Sequence, residues 1–177
     1  DINQGSVLGI GTSYGLKLTL RPTDKINLSV NSSKENEPRS MQWVGIIEDQ
    51  SNVNIIYANT QQEQLNTELR LDIAFSPTMT FEAYYQPFRV EMDYVDYNRL
   101  MEEKSLNVLP YQYNEDKDFR INNQVGTFVF RWEYSPGSLI YAVYNLNINR
   151  YYSFEDKVWD NSQSNSLFLK LDYFFQI

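Results

Sequence analysis

VGTFVFRWEYSPGSLIYAVYNLNIN, residues 125–149, alternates apolar and polar side chains on both sides of a four-residue break. Before the break, Phe128, Phe130, Trp132 and Tyr134 share one side, and Thr127, Val129, Arg131 and Glu133 share the other. Period two places successive side chains on opposite faces of a β-strand. In Ser135-Pro136-Gly137-Ser138, Pro sits at the second turn position and Gly at the third. That is type II turn chemistry, because Pro fixes φ and Gly accepts positive φ. Ile140, Ala142, Tyr144, Leu146 and Ile148 then continue the alternation. The stretch reads as a hairpin with an aromatic, aliphatic face and a charged back.

The same signature recurs along the chain. Leu8 to Leu20 alternates throughout, longer than the five or six residues of an ordinary globular strand. Arg21 to Lys25 turns it, and Ile26, Leu28 and Val30 return. Leu65 to Phe75 alternates as strongly; Ser76-Pro77-Thr78-Met79 turns it into a strand ending near Pro87, which lacks a donor and suits a rim. Segments 41–47 and 53–60 read as weaker strands. Leu167, Leu169, Leu171, Tyr173, Phe175 and Ile177 form the closing row. The total is nine strands, with short turns near 22, 50, 77 and 136 and long loops over 31–40, 89–123 and 150–163.

Composition narrows the function classes. With 177 residues, the chain is long enough for one domain with a real core. It holds no cysteine and no histidine, which removes disulfides, thiolate metal sites, the commonest general base and the commonest zinc ligand. A net charge of -8 argues against a nucleic-acid partner, whose phosphates need a Lys/Arg surface. No run of about 18 apolar residues offers a transmembrane helix, but a transmembrane barrel passes that test unseen.

Strand length, aromatic load and the asymmetry of short turns and long loops predict an all-β, antiparallel transmembrane β-barrel. Nine is odd, whereas bacterial single-chain barrels have even strand numbers, so residues 1–177 read as the C-terminal part of one larger outer-membrane barrel domain. Lys17, Glu68, Arg70, Asp72, Glu82, Arg131, Glu133, Lys170 and Asp172 all fall opposite the apolar row. They are read as a lumen charge network. Five acids against four bases suit a filled interior better than a selective pore, whose rings carry one sign. Tyr14, Phe128, Phe130, Trp132, Tyr134, Tyr173 and Phe175 are read as lipid-facing or girdle residues, and Pro136 and Gly137 as the turn.

Three stretches resemble a known family. FRWEYSPGS (130–138) resembles the RWEYRPGS signature of an uncharacterised outer-membrane barrel domain of Gram-negative bacteria. LRLDIAFSPTMTFEAYYQPF (69–88) is similar to its strand, turn and YxQPF-like strand, and SLFLKLDYFF (166–175) to its closing strand. Ser135 departs from the family's usual Arg, and Ile177 departs from the aromatic end of the general barrel-assembly signal. In that family the barrel follows a module similar to family 9 carbohydrate-binding modules, which is absent from this sequence. The resemblance implies an outer-membrane address and an architecture, and no activity.

The functional expectation is therefore a membrane anchor or scaffold for a surface or periplasmic module, with a glycan connection implied. A transport conduit with a charged lumen and a soluble β-sandwich binding module are the alternatives. The partners expected are outer-membrane lipid, the barrel-assembly machinery at the C-terminal strand, and a protein or glycan at loop 89–123. No cofactor and no metal are expected. Clustered carboxylates near Asp93, Asp96, Glu115, Asp116 and Asp118 match no EF-hand spacing. Catalysis is not expected, because no Ser/His arrangement exists and no carboxylate pair is marked out.

Overall fold

The computed structural model describes residues 11–49, 52–102 and 107–175. They form a single antiparallel sheet of eight strands: β1 (Thr12–Thr23), β2 (Ile26–Asp49), β3 (Asn52–Ser76), β4 (Met79–Leu100), β5 (Val108–Pro110), β6 (Phe119–Ser135), β7 (Ser138–Ser153) and β8 (Val158–Asp172). The spatial order is β1-β2-β3-β4-β6-β7-β8, with the short β5 added beside β4. Among the described residues β1 and β8 each pair on one side only, so the sheet is open.

The openness overturns the expected transmembrane barrel. A barrel wall has no edge, because hydrocarbon cannot satisfy the backbone N–H and C=O groups an edge exposes. Here two strands of 12 and 15 residues present such edges. The membrane anchor, the enclosed lumen, the conduit and the outer-membrane address fall with the closure they required. So do the lipid and barrel-assembly partners. Of the alternatives, the all-β sheet module of sandwich-like kind is favoured over both barrel readings, with all eight described strands in one sheet.

Nine predicted strands become seven long ones plus β5, because strands run straight through segments read as loops. The polar stretch 31–40 lies inside β2, paired from Asn31↔Glu68 to Ser40↔Thr60, so the strand continues into 41–47. Segments 53–60 and 65–75 are one strand, β3. Most of 89–123 is ladder: Arg89 to Met92 pair with Asn122 to Phe119 across β4 and β6. A loop surface for a protein or glycan partner there is thus largely replaced by sheet. Residues 150–153 and 158–163 likewise pair, around a turn at 154–157. The physical reason is common to all three. Ladder hydrogen bonds belong to the backbone and form whether or not the side chains alternate in polarity.

Pro87 is also corrected from rim to mid-strand. It pairs with Gln124 of β6, while the β3–β4 ladder skips from Asn66↔Phe88 to Leu69↔Tyr85, as a residue without a donor requires. One extra β4 residue lies between Tyr57↔Asn98 and Asn59↔Val95. Asp96, at φ 52°, is in that interval, which marks a β-bulge.

The register sorts the sheet into two faces. On one, Leu18, Val30, Leu69, Tyr85, Gly126, Leu146 and their neighbours line up across successive strands. The other carries Arg70, Tyr84, Thr127, Asn145 and Ser166 in the adjacent row. Toward the far end the polar face turns apolar and becomes enclosed: Ile56 and Ala58 are 0% exposed, with Val90 and Met92 nearly so. On the apolar face Leu16, Leu167, Leu169 and Leu171 are exposed.

Candidate functional site

The sequence-predicted charges do share one face. Lys17 on β1, Glu68, Arg70 and Asp72 on β3, Glu82 on β4, Arg131 and Glu133 on β6, and Lys170 and Asp172 at the end of β8 all occupy polar-face register positions. They do not form one network around a lumen. They resolve into short local contacts. Asn27 donates to Asp72 at 3.0 Å, and the Arg70 guanidinium lies 4.9 Å from the centre of the Tyr84 ring. Arg131 reaches Glu133 at 3.9 Å and donates from Nε to the Tyr141 hydroxyl at 3.3 Å. Lys170 sits 2.8 Å from Asp172, whose carboxylate raises the lysine pKa.

Between these charges runs a neutral relay that only the register reveals. Tyr84 donates to Gln86 at 2.8 Å, and Gln86 donates to Asn66 at 2.8 Å. Thr127 donates to Asn145 at 3.0 Å, and Asn145 donates to Ser166 at 3.3 Å, linking β6, β7 and β8 in one row. These half-buried groups satisfy one another, which is the condition for tolerating them.

Of the predicted aromatics, Tyr14, Phe128, Phe130 and Trp132 hold apolar-row register positions, Tyr134 precedes the turn and donates to the Asp172 carbonyl, and Tyr173 and Phe175 lie beyond the end of β8. Phe128 faces Tyr144 with ring centroids 6.0 Å apart, and Trp132 meets Tyr134 edge-on at 6.1 Å. Tyr85 lies opposite Gly126, and its hydroxyl donates to Gln124 at 2.8 Å. A side chain at Gly126 would meet the Phe128 ring at 3.1 Å, so the glycine makes room for its aromatic neighbours.

Pro136 and Gly137 do form the turn, and Gly137 has φ 75°. Its N–H donates to Glu133 Oε1 at 3.0 Å. Ser138, 1% exposed, accepts the Phe174 N–H at 3.0 Å and ties down the residues after β8. Neither role of Ser138 nor of Gly126 was apparent from alternation, which says nothing about small residues at close approaches.

At the opposite end, residues 111–118 are clasped to the sheet. Asp118 accepts the Tyr94 N–H at 2.6 Å, and Tyr97 stacks on Tyr113 at 4.8 Å. Lys117 bridges Glu115 and Glu155 at 2.7 and 2.6 Å. Burial pushes the Tyr97 pKa up to about 12 and raises Asp118, against the lowering effect of the Tyr94 N–H. The two glutamates raise Lys117, and Lys117 in turn lowers Glu115. The cation is saturated, so the cluster is a fastening. Among the described residues no group of three or more Asp or Glu is placed to hold a metal ion.

The open edges are the most unusual feature. On β8, Leu167, Leu169 and Leu171 are 63%, 73% and 67% exposed, and among the described residues this strand pairs with β7 alone.

Residues 8–177 match the family described as Domain of unknown function (DUF5916). The chain belongs to this family. That description carries no activity and no location, so the barrel address implied by the signature resemblance finds no support in it. No curated protein and no solved structure matches the DUF5916 chain.

Proposed function

We propose that this DUF5916 domain is a non-catalytic, all-β binding module that works by strand addition at its open edges, and that β8 of a second copy is the strand it accepts. The observation that carries the reading is the outer side of β8, unpaired among the described residues, beside three strongly exposed leucines. An exposed strand edge is a template for pairing another strand.

The sequence of β8 supports a symmetric, antiparallel pairing centred on Leu169. Leu169 then faces its own copy, and Leu167 faces Leu171 of the second copy. On the other face Phe168 lies opposite Lys170, and Ser166 opposite Asp172. Apolar meets apolar, and no like charges are directly opposed, as cross-strand stability requires. A register centred on Asn165 sets Leu167 against Gln163 and Leu169 against Asn161, leaving only Leu171, opposite Trp159, with an apolar partner. The hydrophobic pattern therefore selects the first register.

Sedimentation analysis of the wild type and Leu169→Lys tests the reading. A wild-type dimer and a folded, monomeric variant are expected. Leu169→Cys adds a positional test, because the chain has no cysteine of its own. Opposed strand residues lie within disulfide range, so oxidation should link Leu169→Cys but not Trp159→Cys. A wild-type monomer at every concentration, or a dimer that Leu169→Lys leaves intact, overturns the proposal.

A further inference from the structure

A groove of about 660 Å³ lies on β6, β7 and β8 beyond the leucine row, lined in part by Asn122, Arg150, Trp159, Asn161 and Gln163. The register sets Asn122, Arg150 and Asn161 in one row across three strands, flanked on the same face by Gln163 in the row before and Trp159 in the row after. All five share the apolar-face side of the sheet. None falls among residues 166–172, which the proposed edge pairing occupies, so the groove stands independently of that reading.

Three features converge on one ligand chemistry. The Trp159 indole is 43% exposed and lies beside its cross-strand neighbour Tyr152, ring centroids 5.0 Å apart and planes tilted by 43°. Such a platform suits the flat C–H face of a sugar ring. The amides of Asn122, Asn161 and Gln163 each offer donors and an acceptor, matching neighbouring hydroxyls that also donate and accept. Arg150 makes no ion pair or hydrogen bond with any described residue, so its forked donors are open to a carboxylate.

The local field agrees. On adjoining positions of the same side, Arg89 and Arg120 share the single carboxylate of Glu91, with Arg120 Nε at 3.3 Å. On this side Lys34, Arg89, Arg120 and Arg150 stand against Glu63, Glu91 and Asp93, with Lys34 paired to Glu63 at 3.0 Å, which leaves one base in excess on a chain of net charge -8. The excess base is where an anionic group is favoured.

We infer that this groove is a binding site for acidic oligosaccharides, with a sugar ring on Trp159 and a ring carboxylate on Arg150. The full chain is titrated with trigalacturonate and with its methyl-esterified form, which keeps the rings and removes the charge. Indole N–H resonances and ligand saturation transfer report binding. The Trp159 indole signal is expected to shift saturably, with the esterified trimer at least about tenfold weaker, a loss in line with one charge-assisted contact. Arg150→Gln abolishes that preference while retaining the weaker neutral binding. Trp159→Ala abolishes both, and a circular dichroism spectrum like the wild type's shows the sheet intact. Absence of saturable binding, equal affinity for both trimers, or unchanged binding by Trp159→Ala overturns the inference. Inorganic phosphate competing as well as the acidic trimer also overturns it, since the site would then be selecting charge alone.

Discussion

Replacing Ser138 by Ala removes one hydroxyl from a site that is 1% exposed. That hydroxyl accepts the Phe174 N–H at 3.0 Å. A net intramolecular hydrogen bond contributes about 0.5–1.5 kcal/mol, and an amide left unsatisfied in the interior costs about 1–3 kcal/mol. Phe174 itself is more than half exposed, so water can reach its amide once residues 173–175 swing away. The expected loss therefore sits near the low end, about 1 kcal/mol. Urea unfolding should show a lower midpoint with an unchanged slope, the sign of altered stability rather than altered compactness. A chain shortened to end at Tyr173 provides the control, because it lacks the Phe174 N–H altogether. In that background Ser138→Ala should be neutral within about 0.3 kcal/mol, as for any pair whose interaction has already been removed. Equal losses in both backgrounds would show that the serine acts otherwise, and the fastening of residues 173–175 through Ser138 would be refuted.

Gly137→Ala should cost about 1–2 kcal/mol from its φ of 75° alone, with more from a Cβ 3.0 Å from Phe174; urea midpoints read it directly. Gly126→Val should destabilise by about 1–3 kcal/mol, because its Cβ already meets the Phe128 ring at 3.1 Å, and thermal unfolding should register the loss. Asn145→Ala breaks the Thr127–Asn145–Ser166 relay at its centre and should cost about 1 kcal/mol by chemical denaturation. Alkali should loosen the clasp over residues 111–118. Tyr97 is raised to about 12 and Lys117 is raised as well, so both contribute stability that is whole below their unfolded values near 10 and lost as pH rises through the folded ones. Thermal midpoints should fall above about pH 10, and Tyr97→Phe should reduce that fall; an identical pH profile in the variant refutes the assignment.

Much of the fold was legible in the residues. Alternation over 65–75, 128–134 and 140–148 gave strands and their faces, and Pro136-Gly137 gave the turn, because side-chain period and φ preference are local properties. The nine charges, from Lys17 to Asp172, occupy polar-face register positions but meet only in short local contacts. Residues in polar stretches were not legible. Asn31 to Ser40, Arg89 to Asn123 and Arg150 to Gln163 lack the apolar rhythm, yet most of them pair through their backbones. That hid the groove, since Asn122, Arg150, Trp159, Asn161 and Gln163 all lie in segments read as loops. The spacing of Trp159, Asn161 and Gln163, in step with Leu167 and Leu169, was the one signal that could have exposed it.

The sequence by itself determined strands, faces and tight turns, for each follows from a few neighbouring residues. Whether the first strand meets the last is set by twist and register summed over every ladder, and no local pattern carries that sum. Only the tertiary structure decided that, among the described residues, the sheet is open, with β1 and β8 each paired on one side.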